Sequence, residues 1–333
     1  MANSKTVLVT GGAGYIGAHT CKELAAHGFA PLVYDNFSTG HPDFVRWGEF
    51  VHGDIQDVPR LTRLLLEKKP LGVLHFASSI AVGESVEKPD KYYRNNVYGT
   101  LCLLEAMLTA GVRDIVVSGT AAVYGHPDEV PIPESAPFDP ASPYGCSKAM
   151  VERLLLDFET AYGFRTAVLR YFNAAGADPE GEIGERHEPE THLIPNIFRA
   201  ACGLIPALKL FGVDYPTPDG SCLRDYIHVC DLASAHRLAL EKLVGGQKKL
   251  RLNLGTGFGY SVKEVIEHAR RVIGKPVPFK VEERRAGDVP ALVARADLAR
   301  KTIGWIATRS SLDSILSTAW RWFEKDSLKK VTL

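Results

Sequence analysis

The stretch Thr10-Gly11-Gly12-Ala13-Gly14-Tyr15-Ile16-Gly17 constrains this chain more than any other. It follows the apolar run Thr6–Thr10 and opens the amphipathic run Tyr15–His27, so it reads as the turn from a first strand into a first helix. In that setting Gly11 permits the tight turn, Gly14 lets the backbone approach a pyrophosphate, and Gly17 lets helix and strand pack closely. The free N–H groups and positive end of the helix then face the phosphates. A second strand at Pro31–Tyr34 delivers Asp35, a residue type that accepts hydrogen bonds from adenosine ribose hydroxyls and repels a 2′-phosphate. The next residues, Asn36, Phe37 and Ser38, include no arginine, which favours NAD over NADP. Asp54, after a third strand at Phe50–His52, suits the adenine amino group, with a plain turn residue as the alternative.

Strand-like and helix-like runs continue to alternate through the first 170 residues. Further strands are expected at Gly72–Phe76, Asp114–Ser118 and Arg165–Arg170, and helices at Val58–Lys68, Tyr92–Ala110 and Tyr144–Tyr162. Gly111 suits a helix C-cap. Such alternation predicts an α/β fold, a Rossmann-type doubly wound parallel sheet with helices on both faces. Residues 1–170 form the expected dinucleotide-binding domain. Residues 171–333 form mainly a smaller mixed α/β lobe that covers the sheet, with strands at Leu208–Phe211, Leu252–Leu254 and Val277–Lys280 and helices at Val262–Ile273 and Ser311–Trp322. Asn173–Thr191, rich in Gly, Pro and Glu, reads as an irregular, exposed excursion.

Composition excludes several classes. The 39 basic and 39 acidic side chains cancel, which argues against a broad nucleic-acid footprint. No apolar run approaches the roughly 18 residues of a membrane span. The chain enters its first apolar run almost at once, so no secretory signal is expected. Six cysteines without a C-x-x-C pair (Cys21, Cys102, Cys146, Cys202, Cys222, Cys230) suggest neither a zinc scaffold nor disulfides, and point to the cytoplasm.

The chemistry is carried by Tyr144-Gly145-Cys146-Ser147-Lys148, which sets Tyr and Lys four apart on one helix face. Upstream, Ser118-Gly119-Thr120 ends a strand at the sheet's carboxyl edge, where open α/β sheets bind ligands. Together they offer a base for a hydroxyl proton and a second hydroxyl to orient the substrate. A free Tyr, with pKa about 10, is a weak base. An ammonium about 4 Å away at an effective dielectric near 20 contributes roughly 4 kcal/mol, about three pK units. Lys148, with the positive nicotinamide ring, is expected to bring Tyr144 toward neutrality.

These residues resemble the extended short-chain dehydrogenase/reductases of the NAD-dependent epimerase/dehydratase family, and among them the UDP-hexose 4-epimerases. The resemblance runs nearly end to end: TGGAGYIG at 10–17, YDN at 34–36, GDI at 53–55, HFA at 75–77, AVGESVEKP at 81–89, NNVYGT at 95–100, VYG at 123–125, SPYGCSK at 142–148, RYFNAAGA at 170–177, FGVDYPTPDGSCLRDYIHV at 211–229, NLGTGFG at 253–259 and RRAGDVPA at 284–291. It implies an NAD held by Gly11, Gly14, Tyr15, Ile16, Gly17, Asp35, Asn36, Ser38, Thr39, Gly40, Asp54, Ile55, Phe76, Ala77, Asn95, Tyr144, Lys148 and Phe172. It implies Thr120, Tyr144 and Lys148 as catalytic. The UDP-sugar would meet Thr120, Tyr144 and Asn173, with His192 and Leu193 near the diphosphate and Lys209 and Phe211 near the uracil. Arg224 and Arg285 would grip the diphosphate, Asp288 would lie near the ribose, and Leu292 would stand at the sugar gate. The implied reaction interconverts UDP-galactose and UDP-glucose through a 4-keto sugar, and the implied assembly is a homodimer through a helix pair. Part of about 212–250 would also pack with the first domain.

This chain departs from the pattern at several positions. Ile80 stands where many members carry a Lys, His192 replaces an Asn, and Thr120 replaces a Ser but keeps the hydroxyl. Leu292, intermediate in size, leaves N-acetylated sugars open, and 4-epimerisation of a pentose or uronate uses the same catalytic groups. Ala121 and Ala122 stand where a dehydratase needs an acid pair. A non-catalytic dinucleotide sensor commonly lacks the Tyr or Lys present here. The His187–His192 stretch is not H-E-x-x-H, and Pro189 disfavours a helix there, so it reads as a solvated loop and no metal is expected. His228 reads as structural, and Trp320, Trp322 and Phe323 as a helix face buried on the second lobe, with a dimer surface as the alternative.

Overall fold

The computed structural model describes residues 5–285 and 288–331. Strands β1 (Thr6–Thr10), β2 (Ala30–Asp35), β3 (Glu49–His52), β4 (Val73–His75), β5 (Asp114–Thr120), β6 (Arg165–Tyr171) and β7 (Lys249–Leu254) form one sheet, in the order β7-β6-β5-β4-β1-β2-β3. Every neighbouring pair is parallel. Apart from the exposed edge strand β3, the sheet is buried on both faces, and alternate strand residues feed two cores. Val7, Val9, Val116, Ala167 and Leu169 point into one, while Leu8, Ile115, Val117 and Val168 point into the other. The first core is closed by helices α1 (Tyr15–Ala26) and, from far downstream, Val229–Val244. The second is closed by α2 (Val58–Lys68), α3 (Gly99–Ala110) and α4 (Pro143–Tyr162).

Local signals explain the helix ends. Ser142 caps α4 by accepting from Gly145 N–H, with Pro143 in the first turn. Gly111 ends α3 in the left-handed conformation at φ 77°. The helical run expected from Tyr92 is broken into Pro89–Tyr92, a π-helical turn at Tyr93–Tyr98, and α3. That widened turn carries Asn95 and Asn96, in keeping with the habit of π turns to occur at functional sites.

The smaller lobe packs around α5 (Leu193–Ala201), Val262–Ile273 and Leu312–Val331. Asn173–Thr191 is not the exposed excursion expected. Asn173–Ala175 pairs in parallel with Tyr226–His228, and Ala175, Ala177, Asp178 and Ile183 are buried. Trp322 causes part of this: its ring lies against Gly184, where a Cβ would sit 2.3 Å away, and its indole N–H donates to the Glu185 carbonyl. Trp320 and Phe323 stack together against Phe198 of α5. His228 is fully buried, accepts from Cys230 N–H, and is held by burial at a pKa of about 4. Among the described residues no helix is long and apolar enough to cross a membrane.

Candidate active site

The carboxyl edge of the sheet gathers the expected cofactor residues. Gly11 has φ 72°, and a Cβ there would lie 2.6 Å from Ala77 N. At Gly17 a Cβ would lie 2.2 Å from the Gly11 carbonyl oxygen. Both positions therefore require glycine for the loop to lie flat between β1 and the turn after β4. Gly14 begins α1 without a side-chain cap, so the first-turn N–H groups face outward as a phosphate cradle. Asp35 sits beneath the loop, accepting from Ala13 N–H at 3.0 Å and Phe37 N–H at 2.8 Å. Burial raises its pKa while these two donors oppose the rise, and its remaining lone pairs suit ribose hydroxyls. The loop through Ser38 and Thr39 returns at Gly40, where a Cβ would come within 2.9 Å of Asp35 Oδ1. Asp54 accepts from Asn36 Nδ2 and Gln56 N–H. The cradle and the acid fit an NAD.

Some expected contacts are narrowed. The Tyr15 hydroxyl donates to the Gly176 carbonyl at 2.6 Å, and Ile55 is buried in the second core, so each offers a dinucleotide its backbone. Phe76 packs against His236. Asn95 donates to the Asn96 side chain, and Asn96, which the sequence reading passed over, is fully buried. It accepts from Ser79 N–H and donates to the Ser79 carbonyl and Ser147 Oγ. It thus ties the turn after β4 to α4.

Thr120 ends β5, where its hydroxyl accepts from Ala122 N–H and faces that of Tyr144. The approach is set by Gly145, where a Cβ would lie 2.6 Å from the Ala122 carbonyl oxygen. Tyr92 meets the Tyr144 ring edge-on at 6.4 Å. Lys148, one turn on, is buried and donates to Ser78 Oγ (2.9 Å), Ser118 O (3.0 Å) and Ser118 Oγ (3.3 Å). Burial lowers its pKa to about 8 against the opposing charge of Glu152. Burial also raises the Tyr144 hydroxyl above its ordinary value, against the Thr120 hydroxyl. The expected three-unit lowering by Lys148 is therefore corrected. The ammonium is anchored on serine oxygens, and desolvation outweighs the Glu152 charge at Lys148 and the Thr120 hydroxyl at Tyr144. Bringing Tyr144 toward neutrality requires further positive charge in the pocket, which an oxidised nicotinamide ring bears.

The second lobe assembles the remaining residues. Asp288 lies between two guanidinium groups, 3.7 Å from Arg224 Nη2 and 2.9 Å from Arg285 Nε. Arg285 also covers the Phe211 ring at 4.8 Å. Arg224 is fixed by donating to the Leu223 and Val289 carbonyls. Its register partner Leu292 packs with Phe172 and Ala149 around Ala121, which joins this lobe to α4 beside Lys148. Asp225 was also passed over. Its buried carboxylate accepts from the N–H groups of Thr256, Gly257 and Ala294, and so braces Arg224 and Leu292. Asn173 donates its N–H to the Asp225 carbonyl. Lys209 is exposed on its strand, which pairs with Phe279–Glu282.

The solvated-loop reading of His187–His192 holds for Glu188, Pro189 and Thr191, which are exposed, but not for Glu190. His192 Nδ1 lies 2.9 Å from Glu185 Oε1 and 3.2 Å from Glu190 Oε1, and both carboxylates are buried. They outweigh burial and hold His192 at a pKa of about 10, while the histidines hold Glu185 down at about 2. The His192 N–H donates to Glu190 Oε1, so it is not available to a diphosphate, and Leu193 begins α5. Two buried glutamates draw the two histidines together, and no spacing rule marks them.

A phosphate cradle, an acid ending β2 and a Tyr–Lys helix against a strand-end threonine define a dinucleotide-dependent enzyme of the short-chain dehydrogenase/reductase type. Its second lobe supplies paired arginines. The chain belongs to the NAD dependent epimerase/dehydratase family, whose model matches residues 7–255. It is 50% identical to a UDP-glucose 4-epimerase of Rhizobium meliloti (strain 1021) over 97% of this chain and 98% of the relative. The crystal structure of UDP-glucose 4-epimerase from Brucella ovis in complex with NAD superposes with TM-score 0.94 at 51% identity, covering 96% and 98% of the two chains. A UDP-glucose 4-epimerase from Stenotrophomonas maltophila, with bound NAD and formylated UDP-arabinopyranose, gives TM-score 0.94 at 42% identity over 97% and 99%.

Proposed function

We propose that this enzyme interconverts UDP-galactose and UDP-glucose by oxidation and re-reduction at C4. The observation that carries the reading is the Thr120 hydroxyl facing Tyr144 one turn before Lys148, beside the phosphate cradle. Bound NAD supplies a hydride acceptor that returns what it takes. Tyr144 Oη removes the C4 hydroxyl proton and later gives it back, and Thr120 Oγ1 holds the same substrate oxygen. Lys148 keeps its charge below about pH 8, and only together with the positive nicotinamide ring does it favour the phenolate of Tyr144. Arg224 and Arg285 hold the diphosphate while the 4-keto hexose turns its other face, so binding energy resides in the nucleotide and leaves the sugar free to rotate. Asp288 keeps the two guanidinium groups together. The same groups serve a UDP-pentose, the ligand class named for the Stenotrophomonas relative.

The enzyme acts in the cytoplasm, a reading supported by six free cysteines. It works as a homodimer. Tyr93, beside Cys146, and Met150, one turn further along α4, expose apolar surface on neighbouring helices, as the helix-pair interface requires. Met150→Glu should then yield monomers in light scattering, and an unchanged mass would remove this face from the interface. The activity is tested with purified protein and UDP-galactose without added NAD, quantifying UDP-glucose by chromatography. Conversion to a fixed equilibrium mixture is expected. No conversion, with NAD recovered from the denatured protein, would overturn the hexose assignment.

A further inference from the structure

We propose that Glu185, His187, Glu190 and His192 form a closed four-ligand site for a divalent transition-metal ion of the zinc type. Each residue offers one ligand atom, and the four atoms lie within 4.8 Å of one another. The two imidazoles present Nδ1 to the two carboxylates at 2.9 Å, 3.2 Å, 3.3 Å and 3.9 Å. A tetrahedral ion with bonds of about 2.0–2.1 Å has ligand–ligand edges of about 3.3 Å, close to the separations of both imidazoles from Glu185 Oε1 and of His192 from Glu190 Oε1. The two rings, 4.9 Å apart and tilted by 51°, approach without stacking.

Two further observations separate this site from a hydrogen-bond network. His187 Nδ1 is buried and has no hydrogen-bond partner, although Glu185 Oε1 lies 3.3 Å away. A network closed by protons alone would not strand that nitrogen. Both glutamate side chains are more than nine-tenths buried, and once an ion displaces the imidazole protons the two carboxylates balance the charge of a dication. The neighbouring acidic group Asp178, Glu180 and Glu182 differs, because Lys22 Nζ already fills it at 2.6–2.8 Å. With all four positions taken by protein, the ion has a structural role. It rivets the 176–192 segment between Tyr15 of α1, which meets His187 edge-on at 6.3 Å, and the start of α5.

The test uses the untagged, NAD-loaded full chain, dialysed against ZnCl2 and then metal-free buffer, with metal read by mass spectrometry. One zinc per chain is expected, with sub-micromolar affinity in competition with a chromophoric chelator. Cobalt should give the intense visible bands of four-coordination. Changes in outer partners already cost about 10–100-fold in affinity, so Glu190→Gln and His187→Gln should each lose about 100-fold or more. Retained NAD content and circular dichroism would show that these variants fold. His268→Gln, at a half-buried histidine on Asp313 outside this cluster, should bind as the parent does. Substoichiometric zinc, weak octahedral-type cobalt bands, or uptake indifferent to Glu190→Gln and His187→Gln would overturn the site and leave an adventitious ion only.

Discussion

Replacing Lys148 with Met tests whether this ammonium is present for chemistry at the expense of the fold. Its pKa falls from 10.5 to about 8 on folding because burial strips its water. That difference corresponds to about 3 kcal/mol against folding at neutral pH. The unfolded chain holds the proton up to pH 10.5 and the folded one releases it near pH 8. The unfolded state therefore binds more protons across that window, and stability rises with pH through it. Met keeps most of the volume without the charge, but it leaves the buried Ser118 carbonyl without the Nζ donor, a cost of about 1–3 kcal/mol. The two effects nearly cancel at pH 7, so Lys148→Met should unfold in urea within about 2 kcal/mol of the parent while turnover collapses. Measured on NAD-free protein at pH 7, 8, 9 and 10, the parent should gain on the variant by up to about 1.4 kcal/mol per pH unit above pH 8. A variant several kcal/mol less stable at pH 7, or a stability difference flat from pH 8 to 10, would refute the reasoning that the buried charge is strained.

Tyr144→Phe removes the proton acceptor but keeps the ring against Tyr92. The turnover rate should fall by about 10²–10⁴ with NAD content unchanged in the denatured protein, and near-parental turnover would assign the base elsewhere. Gly17→Ala drives a methyl group to 2.2 Å from the Gly11 carbonyl, so purified protein should lose NAD and about 1–3 kcal/mol of stability, read by absorbance and urea midpoint. Arg285→Ala removes an exposed guanidinium from Asp288 and Phe211. It should raise KM for the UDP-sugar at least tenfold and flatten its salt dependence, with the urea midpoint unmoved.

Much of the site was legible because its signals are local. The glycines of residues 10–17 and the Ser142-Pro143 start of α4 act through backbone geometry within a few residues, and both fold as their spacing implies. The Val229–Val244 helix carried a readable signal that was passed over. Val229, Leu232, Ala233, His236, Leu240 and Leu243 recur at helical spacing and face the sheet. Asn96 and Asp225 were hidden for a different reason, since their importance lies in partners 17 to 69 residues away.

By itself the sequence determined the parallel α/β alternation, the phosphate cradle and the Tyr–Lys helix, because strand period, turn chemistry and capping operate between near neighbours. Only the tertiary structure decided that β7 joins β6 at the sheet edge, that Lys148 rests on Ser78 and Ser118 instead of the Tyr144 hydroxyl, and that Asp288 bridges two arginines. It likewise brought Glu185, His187, Glu190 and His192 together. The physical reason is desolvation. A charge's partners and its pKa follow from which segments exclude water around it, and that is settled when distant parts of the chain pack together.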